Sequence, residues 1–393
     1  MFKRKKVIFS FFLFSLILVL AFSTQAKFMF SKEKTGTINT KDNRPLCTIH
    51  NITNLSNCVI QTAGNDFSNL ANAKNNIKAK PSPNFNNVAS TDEGMFMMED
   101  DDGESYYFRG TAPNNWVKFG KTGITPNEGD DIYWRIVRIN GDGSIRLIFS
   151  GIGSPQRTGT GTSIGNSKFN TEKDQARYSG YSYGETSIDC TPPNCTDSTI
   201  KTYIENWFQN NLVDEESKLQ DNSFCIDKSI GERPASWDAS RNPVYGAASR
   251  TMREENQGPK NPQLKCPRAQ DKYQKRNGYL KYPIGLLTLD EASLAGGLGN
   301  LYGHLDIMNR AYYLYTGPDH AFWLDSPGAW HSSGPWSLGS AVNSLGCLGA
   351  SWRVDNVIGG RPVSSLKSDI LYVSGDGSQS NPYIVNEQGE EAD

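Results

Sequence analysis

Histidine is nearly missing from this chain: there are four in 393 residues. His50 lies far from the other three, His304, His320 and His331. No pair has the helical spacing of a hydrolytic zinc site, and no Cys/His run has the spacing of a structural one. A nucleophile elbow, a phosphate-cradling glycine loop and a dinucleotide fingerprint are also missing. No metal or cofactor is therefore expected. Gly303-His304-Leu-Asp306 and Asp319-His320 are left as the carboxylate–imidazole pairs that a base or metal would need. An excess of positive charge is lacking too, since the formal net charge is −2, so nothing global points to nucleic acid. After residue 26 no apolar run is long enough to span a bilayer.

What is present starts with a tripartite N-terminus. Lys3, Arg4, Lys5 and Lys6 precede an apolar run from Val7 to Phe22, followed by Ser23-Thr24-Gln25-Ala26. This is a secretory signal over residues 1–26, either cleaved after its small residues or kept as a membrane anchor, and in both cases the rest is exported. Seven cysteines in an exported chain read as disulfides with one left over. Cys47 with Cys58 and Cys190 with Cys195 are short-range staples, which leaves Cys225 for Cys266 and Cys347 over. A Cys225–Cys347 link is the competing scheme.

Residues 27–90 hold thirteen asparagines and neither tryptophan nor tyrosine, and read as an extended basic arm. Such an arm suits contact with an anionic envelope polymer, the alternative being a solvated spacer. All eight tryptophans lie in the head, residues 91–385, and residues 386–393 make an acidic tail. Within the head, 105–109, 116–119, 131–139 and 144–149 are β-branched or aromatic runs that alternate with polar residues. They read as half-buried strands, with a hairpin turn at Asn140-Gly-Asp-Gly143. Ile200, Tyr203, Ile204 and Trp207 have helical spacing behind an Asp197 or Ser198 cap. Thr288-Leu-Asp-Glu291 is a capping box, which gives Glu291 a structural task before any acid–base one. The acidic run 99–103 lacks the glycine position of a calcium loop. Gly375-Asp-Gly377 and Asn381–Val385 read as a closing hairpin.

The segments 105–110, 134–144, 282–288, Phe322-Trp-Leu-Asp-Ser-Pro327 and Gly360-Arg-Pro-Val-Ser-Ser-Leu-Lys367 together resemble a family of uncharacterised bacterial cell-surface proteins. That family is distantly similar to major-paralogous and sulfatase-modifying-factor domains. The resemblance implies a C-type-lectin-like α+β fold, with short antiparallel strands, a few helices and long loops for recognition. It does not imply the sulfatase-modifying activity, which would use a cysteine pair. Trp330, His331 and Trp336 fall in a Gly/Ser/Pro-rich stretch with Asp325 nearby, and aromatic rings with an acceptor suit a sugar face or peptide side chain. Trp323 reads as core, whereas Trp330 and Trp336 read equally as core or surface. The expectation is an exported, envelope-associated binding protein for a carbohydrate or protein ligand. A secreted hydrolase using carboxylate or histidine chemistry in the same region is the alternative.

Overall fold

The computed structural model describes residues 44–123, 129–231, 244–252, 258–299, 308–331 and 336–386. The signal, residues 27–43, His304 and the acidic tail beyond Asn386 lie outside them. From Pro45 onward the chain forms one compact unit.

Residues 45–79 correct the expectation of an extended arm. They fold into α1 (Leu46–Ile49), α2 (Leu55–Gly64) and α3 (Leu70–Lys78). The abundant asparagines are not a sign of disorder here, because several are caps. Asn54 accepts from the Asn57 amide and Asn69 from the amides of Ala71 and Asn72, while Asn65 ends α2 in the left-handed conformation. Aliphatic side chains stand in for the missing tryptophan and tyrosine: Leu55, Val59, Ile60, Ala73 and Ile77 are buried in the main core. The Cys47–Cys58 disulfide pins α1 to α2. The Leu55 amide donates to the Ile370 carbonyl at 3.1 Å, tying the segment to the C-terminal part of the sheet.

The strands begin with β1 (Asp92–Asp100), β2 (Gly103–Gly110), β3 (Trp116–Lys121), β4 (Asp131–Ile139) and β5 (Ile145–Ile152). Short strands follow: β6 (Asn166–Lys168), β7 (Ser182–Tyr183), β8 (Thr196–Asp197), β9 (Phe224–Cys225), β10 (Lys272–Tyr273) and β11 (Ile284–Gly285). The last are β12 (Phe322–His331), β13 (Trp336–Val342), β14 (Leu348–Arg353), β15 (Val357–Gly359), β16 (Val363–Leu366), β17 (Leu371–Ser374) and β18 (Tyr383–Asn386). One sheet runs β11-β16-β5-β4-β3-β18-β17, with β1 and β2 joined to it through β4; a second runs β14-β13-β12-β15-β6. Pairing is antiparallel except for β3 with β18 and β12 with β15. The protein is therefore α+β, mostly sheet. The expected hairpin at 140–143 and the closing hairpin that returns the C-terminus to the sheet are both present.

Helix α4 (Thr199–Asn211) starts on the Ser198 cap and buries Ile200, Ile204 and Phe208 completely. Each such side chain contributes roughly 1.5–3 kcal/mol of apolar burial. Trp207 of α4, Trp134 of β4 and Phe149 of β5 meet edge to face, with centroids 5.6–6.3 Å apart. Among the described residues no helix is long and apolar enough to cross a membrane.

The half-buried reading of β4 and β5 needs correction as well. Both strands are covered on both faces, so Arg135, Arg138 and Arg146 are buried instead of solvated. Arg135 donates to the Ala112 carbonyl at 2.6 Å and lies 4.2 Å from the Trp116 ring. Its burial lowers its pKa to about 9. Arg361, in the Gly-Arg-Pro-Val segment, donates to the carbonyls of Phe149 and Leu314 and stacks 4.7 Å from Phe322. It joins β5 of one sheet to β12 of the second, which is a structural reason for that segment.

Candidate polar cleft

Arg138 and Arg146 are register partners across β4 and β5, so two guanidiniums stand side by side in the interior. Like charges in that position repel unless an anion lies between them. Helix α6 (Leu289–Leu294) supplies it. Glu291 sits at the third position of α6, where it closes the expected capping box: Thr288 N–H donates to Oε2 and the Glu291 amide donates to Thr288 Oγ1, both at 3.0 Å. The same carboxylate accepts from Arg138 Nε at 3.1 Å and lies 2.5 Å from Arg146 Nε. Burial alone would raise the pKa of Glu291; Arg146 and Arg138 outweigh it and hold the group below the usual carboxylate value.

Asp100 completes the chain of charges. Its Oδ2 accepts from Arg138 Nη1 at 2.8 Å and from the Gly141 amide at 2.9 Å, while Oδ1 holds the amides of Asp102 and Gly103. The β1–β2 and β4–β5 turns are thereby pressed together. A Cβ on Gly141 would come 2.3 Å from the Gly103 nitrogen, so only glycine fits there. At the side, Arg250 of α5 (Gly246–Thr251) pairs with Asp290 and Asp227. Asp100, Arg138, Arg146, Arg250, Asp290 and Glu291, with Asp101, Asn222, Ser223, Gln263, Leu264 and Lys265, line a cleft of about 530 Å³ counting the solvent open to it. Desolvation, then the charges of Asp100, Asp142 and Asp101, raise the pKa of Asp102 on the rim.

Three lining atoms are buried and make no protein hydrogen bond: Arg146 Nε, which is ion-paired with Glu291, Arg146 Nη1, a donor, and Asn140 Oδ1, an acceptor. Arg146 is 1% exposed, its guanidinium stacked 4.3 Å from the Phe224 ring. Asn140 is held by donation from its amide nitrogen to Ser144 Oγ at 2.8 Å and Asn222 Oδ1 at 3.1 Å. Hydroxyl groups can accept from Arg146 Nη1 and donate to Asn140 Oδ1. The Cys225–Cys266 disulfide lies at the rim, beside Leu264 and Lys265.

The residues expected from the sequence to bind ligand do not converge here. Their supposed loop is the β12–β13 hairpin, in which Trp330 is paired with Ser337 and His331 with Trp336. Trp330 is half-buried, and the side chains of His331 and Trp336 lie outside the described residues. Asp325 is corrected from a surface acceptor to a core residue, 0% exposed on β12, with neither carboxyl oxygen hydrogen-bonded. Its neighbours in sequence explain this, since Phe322, Trp323 and Leu324 are core and draw the strand inside. Trp323 is core as expected. Desolvation, reinforced by Glu291, raises the Asp325 pKa well above its ordinary value. Asp319 and His320 border a separate surface pocket with Thr160, Ser163 and Asn166. All three expected disulfides form, and Cys347 stays outside them, buried.

Comparison of the chain with protein-family models, with curated proteins and with solved structures finds no match.

Proposed function

We propose that this is an exported binding protein that recognises a hydroxyl-bearing ligand, a carbohydrate of the cell envelope, in the polar cleft. The observation that carries the reading is the buried donor–acceptor pair of Arg146 Nη1 and Asn140 Oδ1 in its lining. A buried polar atom left without a partner costs about 1–3 kcal/mol, and ligand hydroxyls that satisfy these two recover much of that. Three disulfides fit an oxidising compartment and so support export. Short antiparallel strands, few helices and a C-terminal hairpin returning to the sheet agree with a C-type-lectin-like domain, which remains part of the proposal.

Hydrolysis is the weaker reading of this cleft. Glu291 is held ionised between two guanidiniums and cannot serve as an acid, while Asp290 is bound by Arg250. The test is binding to glycan and cell-wall-fragment arrays by the wild type, Asn140→Ala and Trp330→Ala, with thermal melting to show that each variant is folded. Retention of a bound saccharide by Trp330→Ala and at least a tenfold loss in Asn140→Ala are expected. Loss in Trp330→Ala alone would move the site to the hairpin, and turnover of any fragment would restore the hydrolase.

A further inference from the structure

Lys228 and Asp271 lie at the same end of the β9–β10 ribbon, next to the Cys225–Cys266 disulfide, and neither takes part in the cleft chemistry. The side chains of both are fully buried. A buried lysine and aspartate usually meet at hydrogen-bond distance, but here Lys228 Nζ is 3.8 Å from Asp271 Oδ1, and that oxygen has no hydrogen bond at all. The other oxygen is well held: Oδ2 accepts from the Lys228 backbone amide at 2.8 Å and lies 3.3 Å from Arg268 Nε. Around Nζ stand Asp189 Oδ1 at 3.5 Å, the Tyr273 hydroxyl at 3.3 Å and the Ile188 carbonyl at 3.4 Å. The Tyr273 ring covers it at 5.4 Å.

We infer that Lys228 and Asp271 condense to form an intramolecular amide cross-link. The arrangement supplies what acyl transfer needs. An amine stands 3.8 Å from the carboxyl it would attack, with no competing hydrogen bond on the facing oxygen, and a small side-chain movement brings the two together. The oxygen that becomes negative faces two N–H donors, as in an oxyanion hole. A carboxylate, Asp189, is within reach of the amine to relay its proton. In the step, Nζ bonds to Cγ of the protonated Asp271, and Oδ2 carries the negative charge of the tetrahedral intermediate. The Cγ–Oδ1 bond then breaks, Oδ1 leaves as water with the proton given up by nitrogen, and Oδ2 remains as the amide oxygen. One water is lost and nothing is oxidised or reduced. Desolvation favours the neutral forms of both reactants, lowering the lysine pKa and raising that of the aspartate. The amide would clasp the same loop as Cys225–Cys266, and would keep the rim of the cleft closed when that disulfide is reduced.

The bond is read from the mass of the wild-type protein, denatured and reduced, and from its fragments. Cleavage after methionine separates residue 228, in fragment 99–252, from residue 271, in fragment 253–308. A cross-linked chain is lighter than its sequence by one water, and these two fragments stay together after complete reduction of disulfides. Lys228→Arg and Asp271→Ala each restore the full mass and release the fragments. Full mass with two separate fragments in the wild type overturns the inference. The wild-type result decides the matter by itself even if neither variant folds.

Discussion

Glu291, at the start of α6, and Asp325, in the middle of β12, are both carboxyls in the interior and they influence one another electrostatically. Glu291 has two guanidiniums and a backbone amide on its oxygens; Asp325 has no hydrogen bond on either. Their pKa values move in opposite directions, below the usual value for Glu291 and well above it for Asp325. Equal burial therefore gives opposite chemistry, and the number of donors around the carboxyl decides which. The region around α6 is an ionised network that holds two hairpin turns and a helix start in place. The β12 region buries a neutral acid as though it were a poor core residue.

The largest effect is expected from Glu291→Ala. Removing the anion leaves Arg138 and Arg146 adjacent and buried, at a cost of about 3–5 kcal/mol. Chemical denaturation measures this, and a loss below about 1 kcal/mol would break the contrast drawn above. Asp325→Asn should act in the opposite sense near neutral pH. The folded state binds the Asp325 proton more tightly than the unfolded state does, so its contribution to stability is complete below the ordinary carboxylate pKa. It then declines by up to about 1.4 kcal/mol per pH unit as the pH rises towards the folded-state value. Asparagine does not titrate, so the variant should be the more stable protein at pH 7, and its advantage should vanish at low pH. For Glu291 the sign is reversed: its stabilisation is present above the unfolded pKa and is lost as the pH falls through the depressed folded value. Stability measured from pH 3 to 8 for both variants separates the two cases. Parallel profiles would show that the two carboxyls share one environment.

Much of this architecture was legible in the sequence. The β4–β5 hairpin, α4 with its Ser198 cap, the capping box and the two short-range disulfides rest on local rules of spacing and turn chemistry. Long-range coverage was the information that local rules lack. The half-buried reading of β4 left one of its faces to solvent, but other parts of the chain cover both, and Arg135 and Arg138 are buried. The signal that could have revealed the network was the hairpin register itself. It sets Arg138 opposite Arg146, and two facing arginines require a buried anion. The asparagines of residues 45–79 misled in a similar way, because an amide side chain suits a helix cap as well as a disordered arm. Asp325 illustrates the converse: the aromatic and aliphatic residues before it carried a polar group into the core, where composition placed it on a loop.

Thr288→Ala tests a finer division within Glu291 itself. The hydroxyl of Thr288 accepts from the Glu291 amide, while Glu291 returns a bond to the Thr288 amide and pairs with the two arginines. If the ion network holds Glu291, removing the hydroxyl costs one cap hydrogen bond, about 1 kcal/mol, and leaves the acid limb of the stability profile unchanged. If the cap positions Glu291 for the arginines, the same substitution also shifts that limb towards higher pH, because the carboxylate loses part of its stabilisation. A pH titration of the melting temperature distinguishes these, and the first outcome is expected, since Arg138 is fixed independently by Asp100 and Ser105.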